Sequence, residues 1–353
     1  MFGGILEWDG ADVLDPSAMA VTALGMGVPI LIGVLAAHPR IGLAASLGAM
    51  WVGAAPRGAS LVEHWRTVRD IVLAAIGAAI AAALIARHGW WSDVGLVLIA
   101  GVAALFGGFS RPAAIASQRF IAFVTIGLGV ATHAPDRILL TILIAEGAIW
   151  AALCALAVGA AARRWKIGQI ALAEPRSGAS FAQLYRRWRR HLATVEGWTY
   201  SLRLMACLAC AVVIREAMPQ HHYSWIAVAV ALLTQRQSDG LVVKVLQRAM
   251  GVAAGVMATE AIASRPLPGW ALVFVIATLA ATSPWLRKRS YVAYTAATTP
   301  LILLLTSGGG TIGQGLLVDR LVATLIAAGL VIIAFLAARR LMPPPSPESP
   351  RSG

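Results

Sequence analysis

Long apolar stretches separated by short polar turns run along this chain almost from end to end. Twelve stand out. Six lie at about 17–36, 41–56, 70–87, 92–109, 119–134 and 138–161, and six at about 203–218, 222–235, 245–263, 269–284, 291–306 and 317–338. The apolar residues do not alternate with polar ones, so the pattern predicts helices rather than strands of period two. A hydrocarbon surround demands the same, because it tolerates only helices or closed barrels. Several runs fall short of the roughly 20 residues of a simple span. The weakest is 222–235, and some helices are expected to extend into polar flanks or to thin the bilayer.

Composition turns this pattern into a class. Of 353 residues, 59% are hydrophobic and 13% charged, with a mean hydropathy of +0.75; a soluble domain carries about 25% charged residues. The expectation is an all-α polytopic membrane protein embedded in the lipid bilayer. The net charge of +13 then reads as topogenic rather than as a sign of nucleic acid, since Lys and Arg hold loops in the cytoplasm. With both termini cytoplasmic, the outer loops hold only Arg40, Arg87, Arg137, Arg215, Arg265 and Arg320 of the 29 Lys and Arg residues. An odd number of spans would scramble that division. Many of the 12 tryptophans, among them Trp90, Trp91, Trp165, Trp225, Trp270 and Trp285, lie at run ends as an interfacial belt. Cys154, Cys207 and Cys210 lie inside apolar runs and read as packing residues.

The two sets of six resemble one another. Arg69 and Arg248 are 179 positions apart, as are Trp91 and Trp270, and Asp136-Arg137 answers Asp319-Arg320. An even number of spans per copy makes the copies parallel, so two six-helix repeats related by a pseudo-twofold along the membrane normal are expected. The organisation that follows has five parts. An interfacial segment at 1–16, acidic and unlike a cleavable signal, precedes the first repeat at 17–162. A cytoplasmic linker at 163–202 joins it to the second repeat at 203–338, and a Pro/Ser-rich disordered tail at 339–353 follows. In the linker, Phe181, Leu184, Trp188, Leu192 and Val195 step by three and four among Arg186, Arg187, Arg189 and Arg190, which predicts a basic amphipathic helix on the membrane surface.

The stretch from Tyr223 to Gly255 is the most distinctive. Tyr223 and Trp225 open an apolar run, a polar turn spans 235–240, and Arg248, Gly251 and Gly255 then share one helix face. The glycines invite a closely packed helix, and the cation invites a polar space instead of lipid. This pattern resembles the fusaric acid resistance / aromatic acid exporter family, with Val252 where that family often carries Thr; plant aluminium-activated malate channels look like more distant relatives. The resemblance implies a bacterial inner-membrane exporter of organic anions, chiefly aromatic carboxylates. It also implies a periplasmic membrane-fusion subunit as a candidate partner, and it lacks here the soluble domain of longer members. With no ATP-binding motif in the chain, a proton gradient is the expected energy source, and a homo-oligomer is one alternative for the assembly.

Within that frame, Arg69 and Arg248 are the first candidates for an anion path, expected to meet near a shared axis. Arg119 and Arg289 form a second ring, and Tyr223 and Trp225 are candidates for stacking on an aromatic cargo. Glu146 is expected near mid-membrane, buried and able to exchange protons. Asp136-Arg137 and Asp319-Arg320 are expected at the outer starts of helices, with each Asp as a local cap. Positive-inside anchoring explains the arginines equally well, and a neutral hydrogen-bonded acid explains Glu146. An enzyme is not expected. His88 to Asp93 has acyltransferase-like spacing but no companion motif, while His133/Asp136 and His221-His222 are too few ligands for a metal. No cofactor is expected. The alternatives to an exporter are a passive anion channel with an arginine-lined pore, or a non-transporting accessory subunit.

Overall fold

The computed structural model describes residues 14–53, 60–164, 180–234, 236, 240–263, 266–308, 310 and 312–341. Most of the expected interfacial segment, residues 165–179 of the linker and the tail from 342 lie outside the described residues, as do Arg57, Trp165 and Arg265. The described residues form thirteen helices: α1 Pro16–Leu35, α2 Pro39–Val52, α3 Leu61–Ile85, α4 Trp90–Phe106, α5 Arg111–His133, α6 Arg137–Arg164, α7 Phe181–Leu192, α8 Val195–Ala217, α9 Ser224–Leu233, α10 Leu241–Ala263, α11 Gly269–Arg289, α12 Tyr291–Thr306 and α13 Gln314–Leu341. Eight of these (α1, α3, α5, α6, α8, α10, α11 and α13) are long and apolar enough to cross a membrane. The chain is a multi-pass membrane protein.

Each apolar run coincides with a helix, but hydropathy places several ends wrongly. α3 begins nine residues before its apolar run, where Ser60 accepts a hydrogen bond from the Glu63 amide at 3.1 Å. Ser110 does the same for Ala113 at the start of α5. Capping decides where backbone amides become satisfied, and the apolar pattern does not record it. At the other extreme, α9 has only 10 residues, about 15 Å of rise against a hydrocarbon core of about 30 Å.

Neighbours follow a regular scheme. α1 packs on α2 and α6, α2 on α6, α3 on α5 and α6, and α4 on α5. α8 packs on α9 and α13, α9 on α13, α10 on α12 and α13, and α11 on α12. Between the sets, α1 meets α11, α4 meets α8, α5 meets α9, and α2 meets α12. Lipid tails are as apolar as the helices, so close approach at small residues must supply much of the attraction. Gly251 and Gly255 face α12: a Cβ on Gly251 would lie 2.6 Å from Thr295 Cβ and from the Val292 carbonyl oxygen, and one on Gly255 would lie 2.6 Å from Thr299 Cβ. Gly48 and Gly147 bring α2 and α6 together in the same way, against the backbone of Ile144 and Ala45.

α7 is the basic amphipathic helix, opened by a capping box between Ser180 and Gln183. It ends at Leu192, so Val195 belongs to α8 rather than to its stripe. Trp188 donates from Nε1 to the Leu105 carbonyl at 3.1 Å. Arg236, from the turn after α9, donates to the Ala104 carbonyl and lies 4.7 Å over the Tyr200 ring. Two distant side chains thus occupy carbonyls in the last turn of α4 that have no partner within the helix.

Candidate functional site

Two cavities open at opposite ends of the seam where α5, α9 and α12 come together. The first, about 220 Å³, is lined by Arg119 from α5, Arg248 from α10 and Arg287 from α11, with Tyr291 and Tyr294 from α12 and Ser283 from α11. Among the described residues no carboxylate lines it. Arg248 is only 7% exposed, about 10 Å along α10 from its first residue. Its Nη1 lies 3.4 Å from the Tyr291 hydroxyl, which it donates to, while Nε is buried without a partner. Arg119 likewise buries an unpartnered Nη1. Guanidinium groups are donors only, so this wall offers unused donors and positive charge, and an anion satisfies both.

The second cavity, about 440 Å³, is lined by Arg40, His133, His222 and Trp225, with Thr125, Val228 and Thr306 among the residues on its seam-facing wall. The two cavities lie back to back. Along α12 the first ends at Ile302 and the second begins at Thr306, leaving three residues or about 4.5 Å of rise. Leu303, Leu304 and Leu305 occupy those three positions of α12, and all three are buried. α1, α11 and α12, which all line the arginine cavity, each carry a proline inside the helix: Pro29, Pro284 and Pro300. Each proline removes one helical hydrogen bond and permits a bend there.

The structure separates the residues that sequence reasoning paired. Arg69 is half-exposed and bonded to Asp70 at 2.8 Å, outside both cavities and apart from the one that Arg248 lines. Arg289 stands 5.1 Å over the Trp285 ring and does not line the cavity; Arg119 shares it instead with Arg287. Arg287 follows Ala280 and Ser283 on one face of α11, a small-polar-cationic stripe that the basic run Arg287-Lys288-Arg289 masks in the sequence. Trp225 lines the second cavity, whereas Tyr223 is buried and stacks on His221 at 4.7 Å.

Glu146 is a correction. It lies on the exposed face of α6 rather than buried, because Gly147 and Ala148, its neighbours, turn toward the bundle instead. Asp319 is another. α13 starts at Gln314, so Asp319 sits more than a turn inside and does not cap the helix. It accepts from His221 Nδ1 at 2.8 Å, His222 Nδ1 at 3.1 Å and the His222 amide at 2.8 Å. Asp136 does cap its helix, accepting from the amides of Ile138 and Leu139. Arg137 donates to the carbonyls of Ala83 and Ala86, closing the end of α3. Arg320 is 1% exposed, with its guanidinium 4.1 Å over the Trp225 ring and with Nε and Nη1 unpartnered. Such a buried cation is costly unless compensated, and a desolvated cation–π contact returns about 2 kcal/mol.

The acyltransferase-like pair does not assemble. His88 Nδ1 faces the Ile85 carbonyl, and Asp93 bonds Arg215 at 2.6 Å. Among the described residues no cluster of His, Cys, Asp and Glu is fit to hold a metal ion.

Among known families, the model for fusaric acid resistance protein-like proteins matches residues 208–334, a span from α8 through most of α13 that includes Arg248, Arg287 and Arg320. No curated protein and no solved structure matches the chain.

Proposed function

From a membrane protein whose residues 208–334 form a fusaric acid resistance protein-like domain, we propose a transporter of organic anions whose cargo site is the Arg119–Arg248–Arg287 cavity. The observation that carries this reading is that three arginines line one cavity that, among the described residues, no carboxylate lines. Tyr291 and Tyr294 supply an aromatic wall, which favours aromatic carboxylates over small inorganic ions. A cavity of this size holds one ring and its carboxylate. The Lys/Arg bias among the loops supports an orientation with the arginine-rich ends and both termini in the cytoplasm, this cavity facing inward and the His222 cavity outward. Transport is then export from a bacterial inner membrane, driven by protons, with a periplasmic membrane-fusion subunit as the partner the family resemblance points to.

The pairing scheme of the helices supports parallel repeats. Exchanging α1–α6 with α8–α13 in order carries the α1/α11 contact onto α8/α4 and the α5/α9 contact onto α12/α2, as a twofold along the membrane normal requires. Rocking of the two units about this seam, with bending at Pro29, Pro284 and Pro300, would open one cavity as the leucine layer moves. The thin layer Leu303–Leu305 also favours a second reading, a passive anion channel gated by dewetting at an apolar constriction.

Uptake of labelled 4-hydroxybenzoate into inverted membrane vesicles tests the proposal. Accumulation that needs a proton gradient and is lost in Arg248→Gln is the expected result. Steady anion current that ignores the gradient moves the protein to the channel reading, and no movement under any gradient removes transport altogether.

A further inference from the structure

The loop between α8 and α9 lays two imidazoles on one carboxylate at the mouth of the second cavity. His221 Nδ1 is 2.8 Å from Asp319 Oδ1 and His222 Nδ1 is 3.1 Å from Oδ2, with the His222 amide also donating to Oδ2. Asp319 is 6% exposed, while the two ring side chains are 40% and 62% exposed. An ionised carboxylate accepts hydrogen bonds and donates none. Both rings therefore present Nδ1–H to it, and the tautomer leaves the Nε2 lone pair of each as the base. A proton from hydronium joins Nε2, giving an imidazolium and water, without breaking the bond to Asp319.

The surroundings decide what that proton does. From α9, Tyr223 stacks on His221 and Trp225 stands at the cavity wall. From α13, Arg320 is turned onto Trp225, and Gln314 ties up Glu260 of α10 at 3.2 Å. At the end of α8, Arg215 holds both Glu216 and Asp93. Across the cavity stand Arg40 and His133, the latter with Nδ1 on the Gly129 carbonyl. Among the described residues the charged wall thus consists of one permanent cation, Arg40, and two imidazoles, with no carboxylate.

We propose that His221, His222 and Asp319 form a proton-binding site that sets the anion affinity of the second cavity. Protonation of His222 adds a cation to the wall, Asp319 positions the ring, and His221 shares the carboxylate. The site takes a proton together with a carboxylate anion, so the anion affinity of the second cavity rises as pH falls. The inference rests on the anion-transport reading.

The test is equilibrium binding of labelled benzoate to the purified full-length protein at pH 5.5 and pH 7.5, where benzoate stays ionised. The wild type should bind about fivefold more tightly at the lower pH, as expected for a charge gained near the ligand in a partly hydrated space. His222→Gln and Asp319→Asn should lose most of that ratio, and His222→Lys should bind tightly at both values. His221→Gln, which leaves His222 on Asp319, should keep part of the ratio. Retention of the full ratio in His222→Gln, or a strong ratio in His222→Lys, overturns the proposal; the lysine variant decides the matter should the glutamine variant fold poorly. If the wild type moves 4-hydroxybenzoate but these variants keep its pH ratio, this inference alone falls. If the wild type neither binds nor moves an aromatic carboxylate, the transport reading falls and takes this one with it.

Discussion

Arg69 and Arg248, 179 positions apart, lie about two turns into α3 and α10 and meet opposite surroundings. Arg69 points outward onto Asp70, half-exposed. Arg248 is buried against Tyr291 with a nitrogen left over. The acids preceding the two final arginines diverge in the same way. Asp136 caps its own helix, whereas Asp319 reaches across nearly a hundred residues of sequence to His221 and His222. Arg137 closes the end of α3, whereas Arg320 is sealed under Trp225. At these three positions the first set of helices uses its charges locally, although Arg119 of α5 lines the arginine cavity and Arg40 the second one. The second set carries them inward to the seam, where they are desolvated and available. Similar sequence positions therefore serve as scaffold in one half and as candidate chemistry in the other.

The difference can be broken most severely at the α10–α12 contact. Counted 179 positions back, Gly251 and Gly255 fall on Val72 and Ile76. Installing the first-half residue as Gly251→Val drives a side chain into Thr295 and the Val292 carbonyl. Backbone cannot yield cheaply, so a loss of about 3 kcal/mol is expected, read as a lower thermal midpoint in detergent. Gly329→Ala in α13, where a Cβ meets nothing, should leave that midpoint unchanged or raise it.

At the next level, Arg248→Gln should reduce anion accumulation at least about tenfold, the cost of removing one desolvated charge-assisted contact. Arg69→Gln should stay within about twofold, because an exposed ion pair contributes little. Equal losses in both would erase the functional asymmetry. A smaller effect separates the two acids. Asp319→Asn should cost about 2 kcal/mol, because it weakens three hydrogen bonds at a buried carboxylate, against about 1 kcal/mol or less for the cap at Asp136→Asn; chemical unfolding of the two variants side by side measures this. The smallest effect is expected of Glu146→Gln, whose exposed side chain lines neither cavity. Gradient-dependent uptake should be unchanged, and a loss of it would return Glu146 to the mechanism.

Much of this fold was legible in one dimension. Each of the twelve apolar runs is a helix, and the amphipathic Phe181–Leu192 is where its arginines and tryptophan put it. The glycines at 251 and 255 signalled a close neighbour before that neighbour was known to be α12. The site was legible only in part. Arg119, Arg248 and Trp225 were picked out as residue types in the right register, but Arg287 hid in a basic run and His221-His222 looked like a lone pair. Partners found 98 and 97 residues away leave no periodic trace.

By itself, then, the sequence determined the class of the molecule and which stretches become apolar helices. Those follow from local hydropathy and charge, which act on each segment independently. Only the tertiary structure decided which of two matched arginines is buried, which carboxylate leaves its own helix for a pair of histidines, and that Glu146 faces outward. Burial is a property of neighbours in space: a rotation of less than half a turn about a helix axis exchanges lipid for protein, and packing at residues such as Gly147 and Gly251 fixes that rotation.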